Sequence, residues 1–298
     1  MTTPILLPAN RESRVKALRS MANLGFLNVW EGAIRSGKTV FALSAFALYV
    51  EQSPETEFLL SGRTVSTAEK NLIFGDFGLL SLLPGSTYGR VGESRAVKLT
   101  VRRGLTIVRK TIFVMGAADI RAYMALRGQS YAGWMADEIN MHDKEFVSEA
   151  LRRTAVSKDR VHIWTLNPDN PRHWIYTDYL DRYDAMSKEE KKALGGYHWW
   201  HFTPRDNPIM SDEQYASLCL QFPQDSYLYQ RYILGLRAIA EGLVYPRDVS
   251  DLFEDFDPQE TYTDPRTGKV KRLIDIRYCA IDFGQDHLRL LQGLPENL

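Results

Sequence analysis

Apolar and polar positions recur along this chain with two periods, and the segments they mark predict strands separated by helices. Phe26-Leu27-Asn28-Val29-Trp30 reads as a short buried strand, and residues 39–48 follow as a helix. Phe58-Leu59-Leu60 is a second buried strand, with a helix expected over 66–74 and capped near Ser66 or Thr67. Val97-Lys98-Leu99-Thr100-Val101 alternates, Arg102-Arg103-Gly104 can turn the chain, and residues 105–114 resume the strand pattern, which predicts a hairpin. Residues 131–136 and 161–166 read as further buried strands on either side of an amphipathic helix over 143–154. Strands alternating with helices predict an α/β fold, a mostly parallel sheet with helices on both faces.

Past Pro171 the texture changes to aromatic-rich helices over 172–186, 212–221 and 224–234, grouped around a strand at 197–202. They predict a small second subdomain over 171–245, following a core formed by 1–170. Residues 246–275 carry prolines, acidic residues and the turn-forming Asp264-Pro265-Arg266-Thr267-Gly268, and read as a linker. Arg277-Tyr278-Cys279-Ala280-Ile281-Asp282 opens another strand within 276–298, but sixteen residues after Asp282 are too few to bury a further core.

At 298 residues the chain exceeds the usual single domain, in keeping with one large body and an appendage. Lys plus Arg and Asp plus Glu balance at 37 each, so no global field marks a nucleic-acid partner and any such surface must be local. Local candidates are Arg11, Arg14, Lys16 and Arg19, and the hairpin residues Arg102, Arg103, Arg109 and Lys110, with solvated helix and hairpin faces as the competing account. Tyr197, Trp199, Trp200 and Phe202 fit strand residues packed under helices better than a base-stacking platform. Cys219 and Cys279 lie far apart without metal-ligand spacing and fit reduced thiols in a cytosolic setting. With no run of about 18 apolar residues and no leader-like start, the expectation is a soluble intracellular chain with no membrane partner.

The chemistry enters at residues 32–39. Gly32, Ala33, Ile34, Arg35, Ser36, Gly37, Lys38 and Thr39 form a complete G-x-x-x-x-G-K-[ST] phosphate-binding loop between the first strand and the helix after it, the order that motif demands. Glycines let amide N–H groups close around phosphate oxygens, and the helix N-terminus adds positive potential. Lys38 is expected to reach the β- and γ-phosphates of ATP, and the Thr39 hydroxyl to hold Mg²⁺. Further along, Gly133-Trp134-Met135-Ala136 ends in Asp137-Glu138. Asp137 would complete the Mg²⁺ shell opposite Thr39 and Glu138 would polarise the water attacking the γ-phosphate, unless the pair merely caps the next helix. Such a pair favours hydrolysis over phosphoryl transfer to a metabolite, and so a motor or switch ATPase. Thr165 and Asn167, in Trp164-Thr165-Leu166-Asn167-Pro168, could touch the γ-phosphate or its water; an ordinary strand-ending turn accounts for them equally.

Taken in order, these segments resemble the large terminase subunit of tailed bacteriophages, the ATPase that pumps DNA into a preformed capsid. The likeness runs from about residue 26 to 284. It rests on Trp30 through Thr39, on Leu126-Arg127-Gly128-Gln129-Ser130-Tyr131-Ala132-Gly133-Trp134 running into Asp137-Glu138, and on Thr165-Leu166-Asn167-Pro168 as a coupling motif. Asp206-Asn207-Pro208 and Ala240-Glu241-Gly242-Leu243-Val244-Tyr245 are similar to landmarks of the family's lid and of the passage to its nuclease domain. The resemblance implies a RecA/ASCE-like P-loop NTPase fold with a helical lid, and Mg²⁺-dependent ATP hydrolysis that translocates double-stranded DNA. It also implies a homo-oligomeric ring in the host cytoplasm, docked transiently on the procapsid, with portal protein and small terminase subunit as partners.

Family members complete the site with arginine, which stabilises charge on the transferred phosphoryl group. Arg35 is the candidate in cis, Arg127 the candidate in trans and Arg63 a weaker third, with surface ion pairing as the alternative for each. The resemblance further implies an RNase H-like nuclease domain using Mg²⁺ or Mn²⁺, with Asp282 as its first ligand. Two-metal chemistry needs more carboxylates than Asp282 alone, so nuclease activity is expected to be absent from this chain. The rival readings are a helicase-like P-loop ATPase, which would need a second RecA-like core after residue 168, and a nucleotide-dependent switch with negligible turnover.

Overall fold

The computed structural model describes residues 6–119, 121–239, 261–264 and 267–272, together with the backbone of 279–283 and 288–292. The chain falls into two compact units, Met1–Glu241 and Gly242–Leu298.

The first unit opens with α1 (Arg11–Ala22), whose N-cap Asn10 accepts from the Glu12 and Ser13 amides. Next come β1 (Leu27–Gly32), α2 (Lys38–Gln52), β2 (Glu57–Gly62), α3 (Val65–Ala68), α4 (Leu79–Leu82), β3 (Thr87–Val91), β4 (Ser94–Arg103) and β5 (Thr106–Gly116). They are followed by β6 (Trp134–Ala136), α5 (Lys144–Arg153), β7 (His162–Leu166), α6 (Asp181–Asp184), α7 (Lys188–Ala193), β8 (Tyr197–Phe202), α8 (Asp212–Cys219) and the short α9 (Tyr227–Tyr229). All eight strands join one sheet in the order β3-β4-β5-β2-β6-β7-β1-β8. The first three pair antiparallel, and every other neighbouring pair is parallel. This is the expected mostly parallel α/β architecture, with β7 inserted between the phosphate-loop strand β1 and the acidic strand β6.

Strand periodicity splits the core into two layers. Phe58 and Leu60 of β2 and Trp30 of β1 pack with Phe41 and Phe46 of α2 on one face. Leu59, Leu27 and Val29 face the other way, toward Trp134, Trp164 and Phe146. Burying each such side chain stabilises the unit by about 1.5–3 kcal/mol. Both layers are needed to seat the carboxyl ends of β1, β6 and β7 together, which is where doubly wound sheets bind ligands.

The structure corrects the expected elements in five places. The helix near 66–74 begins earlier, capped by Thr64 in a reciprocal pair with Thr67, and widens into a π-helical turn over Glu69–Ile73. β3 was not foreseen, because its half-exposed edge position and Gly89 leave little alternation to read. Of the strand expected at 131–136, only Trp134–Ala136 pairs as a strand. The helix expected over 172–186 is broken by a π-helical turn, Tyr176–Leu180. The strand at 197–202 does not centre a separate subdomain: β8 is the edge strand of the main sheet, with Trp200 opposite Trp30.

The described part of the second unit holds two antiparallel pairs, β9 (Thr261–Thr263) with β10 (Val270–Arg272) and β11 (Cys279–Phe283) with β12 (Leu288–Gln292). Asp282 is on β11, and its side chain lies outside the described residues, as do the landmark at 240–245 and much of the expected linker. Among the described residues no helix is long and apolar enough to cross a membrane.

Candidate functional site

β1 ends where the chain must pass close to its neighbour: a Cβ on Gly32 would lie 2.0 Å from the Phe202 carbonyl oxygen. The loop then turns through two left-handed residues, Arg35 (φ 57°) and Gly37 (φ 81°), before α2 starts at Lys38. No side chain caps α2 and its first turn has no acidic residue, so its leading amides and dipole are directed at whatever anion the loop holds. Ser36 Oγ, also in the loop, is buried without a partner among the described residues.

Two strand ends close on this loop. Asp137 and Glu138 follow β6, and Thr165 and Asn167 belong to the end of β7. Thr39 Oγ1 lies 3.3 Å from Asp137 Oδ1, which also accepts the Thr165 hydroxyl at 2.7 Å. Thr165 Oγ1 in turn accepts the Glu138 amide at 3.1 Å. Lys38 Nζ donates to Asn167 Oδ1 at 2.6 Å and to the Ala33 carbonyl at 3.1 Å. The Asn167 amide donates to Glu138 Oε1 at 3.2 Å. Lys38, Thr39, Asp137, Glu138, Thr165 and Asn167, picked from three separate stretches of sequence, therefore form one cluster.

Electrostatics follow from that packing. Burial pulls the Lys38 ammonium down to about 8, against the raising pull of Asp137, Glu138 and Glu31. Burial, then the Asp137 charge, raise the Glu138 carboxyl above its ordinary range, while Lys38, Asn167 and Arg63 draw it back. Glu138 also occupies the left-handed region (φ 55°, ψ 56°), a conformation that costs a non-glycine residue on the order of 1 kcal/mol or more and is held by surrounding structure. A hydroxyl and a carboxylate 3.3 Å apart beside a buried lysine are the oxygen donors a Mg²⁺-triphosphate takes.

A cavity of about 290 Å³ continues from the loop along Lys38–Phe41 and is walled by Leu6, Phe77, Pro208 and Ile209. Asn207 ties that wall to the loop, its amide donating to the Arg35 carbonyl at 2.7 Å. Its neighbour Asp206 accepts from Ser13 (2.6 Å) and Lys16 (2.7 Å), which fastens α1 to the same turn.

The remaining sequence candidates stand outside that hydrogen-bonded cluster. Arg35 is exposed on the loop. Arg127 is exposed and stacks on Tyr123, 4.9 Å from the ring centre, within its own turn. Arg63 is the arginine whose charge bears on Glu138. The hairpin cations Arg103 and Lys110 cap α2 by donating to the carbonyls of Val50, Glu51, Gln52 and Ser53. Phe202 is buried, and Trp199 is bound to Glu31.

Glu31, Asp169, Tyr176 and Arg237 were missed. Glu31 is 1% exposed near the end of a strand with no other charged residue, and a charge at that position was the one available signal. Its partners come from more than a hundred residues away, which spacing cannot reveal.

Comparison with known proteins identifies the family and the fold. The family model for the N-terminal part of the large terminase subunit, T4-like-virus type, matches residues 29–248. No curated protein matches. Among solved structures, the large terminase of a thermophilic bacteriophage, in complex with ADP, aligns at 21% identity and a TM-score of 0.62 over 94% of this chain and 65% of that one. The same protein in complex with ATP-γ-S gives 22% identity and a TM-score of 0.59, over 90% and 61%. The large terminase ATPase domain of Thermus phage P74-26 gives 17% and 0.50, over 78% of this chain and 99% of that one. The chain thus spans less than two thirds of the length of the thermophilic phage's terminase.

Proposed function

The chain belongs to the large terminase subunits of the T4-like-virus type, and on that premise we propose that it hydrolyses ATP to drive double-stranded viral DNA into a procapsid. The observation that carries this reading is the meeting of the phosphate loop with the Asp137-Glu138 pair, Thr39 Oγ1 standing 3.3 Å from Asp137. The nucleotide complexes of the thermophilic phage's terminase support it.

Loop amides and the α2 N-terminus take the phosphates, and Lys38 leaves Asn167 to neutralise the β- and γ-oxygens. Thr39 and Asp137 would hold Mg²⁺, which supplies charge neutralisation and orients the phosphates when bound. Glu138, with its raised proton affinity, orients the attacking water and accepts its proton. Thr165 bonds both Asp137 and the Glu138 amide, and Asn167 bonds both Lys38 and Glu138, so loss of the γ-phosphate alters both and passes to the residues beyond β7. Arg35 in cis and Arg127 of a neighbouring subunit in trans are the proposed sources of additional positive charge. The cavity beyond Thr39, walled by Phe77 and Ile209, is sized and lined for the nucleoside. As part of a ring docked on the procapsid in the host cytoplasm, the chain would work with portal protein and small terminase subunit.

Measuring ATP hydrolysis and fluorescent-ADP binding of wild type, Lys38→Ala and Glu138→Gln tests the assignment. Lys38→Ala should lose binding, and Glu138→Gln should bind normally and stop hydrolysing. Slow turnover untouched by Glu138→Gln would instead identify a nucleotide-dependent switch.

A further inference from the structure

The Glu31 carboxylate stands one residue before the phosphate loop, buried, yet none of its hydrogen bonds goes to that loop. Tyr176 Oη donates to it at 2.8 Å and Trp199 Nε1 at 2.8 Å. Arg237 completes its shell with a fork, Nε to Oε1 and Nη2 to Oε2, both at 3.1 Å. The same guanidinium reaches Asp181 at 2.9 Å and lies 3.9 Å from the centre of the Tyr176 ring.

Six positions earlier, Arg231 makes a second, parallel connection. Its Nη2 donates to Asp169 Oδ1 at 2.9 Å and its Nε to the Ala238 carbonyl at 3.0 Å. Asp169 is two residues past Asn167, accepts the Asn140 amide at 3.2 Å, and donates its own N–H to Tyr176 Oη at 3.0 Å. Between the arginines the strap presses on the loop itself. Gly235 is left-handed (φ 70°), and a Cβ there would lie 2.7 Å from the Ala33 nitrogen. His201 Nε2 holds the strap at the Leu234 and Gly235 carbonyls, at 2.9 and 3.1 Å.

We propose that Arg237 and Arg231 are positioning residues that act from one strap, residues 230–238, on the two halves of the nucleotide site. Arg237, through Glu31, sets the end of β1 from which the phosphate loop springs. Arg231, through Asp169, sets the turn whose Asn167 grips Glu138. The inference rests on the ATPase reading above, and it makes the two arginines control different constants: Arg237 nucleotide affinity, Arg231 turnover.

The test uses the full chain, with fluorescent-ADP affinity, steady-state ATPase and thermal melting measured on each variant. Arg231→Ala should lower kcat about tenfold with affinity changed less than threefold, and Arg231→Lys should recover most of the loss. Arg237→Ala leaves a buried carboxylate unpaired and invites unfolding. The paired variant Glu31→Gln with Arg237→Met removes both charges, and should stay folded and bind ADP about tenfold more weakly, with kcat at saturation within threefold of wild type. Folded variants with wild-type constants, or both variants changing the same constant equally, would overturn the strap while wild-type hydrolysis left the ATPase reading intact. A wild type that neither binds nucleotide nor hydrolyses ATP would overturn both.

Discussion

Lys38 Nζ bonds Asn167 Oδ1 at 2.6 Å, so the cation of the phosphate loop is held by the same side chain that grips Glu138. A hydrogen bond to a charged group is worth about 1.5–3 kcal/mol, and this one must be given up before Lys38 can reach a triphosphate. Asn167→Ala therefore removes a competitor for the lysine and the tether of the water-orienting carboxylate at once. ADP affinity should hold steady or tighten up to about tenfold, while kcat falls at least tenfold. Weaker binding with normal turnover would contradict the assigned roles.

The depressed proton affinity of Lys38 gives nucleotide binding a pH dependence of known sign. Nucleotide-free, the ammonium loses its proton as pH rises through about 8. Phosphates bind the charged form, so each further pH unit adds about 1.4 kcal/mol to the cost of binding. Isothermal titration should show ADP affinity more than tenfold weaker at about pH 9.5 than at pH 8, a range in which the ADP phosphates are already fully ionised. Constant affinity to pH 9.5 would mean that the lysine stays charged without ligand.

Lys110 is 1% exposed and donates to the Val50 carbonyl at 2.5 Å and to Ser53. Lys110→Met strands those carbonyls at the end of α2 and should cost about 1–3 kcal/mol in urea unfolding. The salt dependence of DNA affinity should not move, whereas a phosphate-contacting lysine would lower its slope by about one.

Gly32→Ala drives a methyl group into the Phe202 carbonyl, which belongs to the backbone of β8 and cannot step aside alone. The substitution should destabilise the first unit by about 3 kcal/mol or more, read as a lower urea midpoint. A near-wild-type midpoint would place β8 farther from β1 than described.

The reach of the sequence follows the range of the forces that shape each part. The phosphate loop was legible because its spacing, the strand before it and the helix after it are all local. Asp137-Glu138 was legible because a phosphate loop upstream gives a carboxylate pair ending an apolar strand a partner; taken alone, the pair could equally cap the next helix. The pairing of β8 with β1 was not, because a parallel neighbour is chosen by tertiary packing rather than by any turn between them. Glu31 and Arg237 were invisible as a pair for the same reason. The hairpin cations were ambiguous for another reason: a buried lysine that caps a helix has the same letter as one that is solvated or meets a phosphate.

Both neighbours of β1 arrive late in synthesis, β7 at His162–Leu166 and β8 at Tyr197–Phe202. Until Tyr197–Phe202 has left the ribosome, the strand that launches the phosphate loop has β7 on one side and an unpaired edge on the other. Ribosome-bound intermediates stopped before Tyr197 would carry every letter of the nucleotide-binding motif with one side of its strand open, a hazard for chaperones to cover.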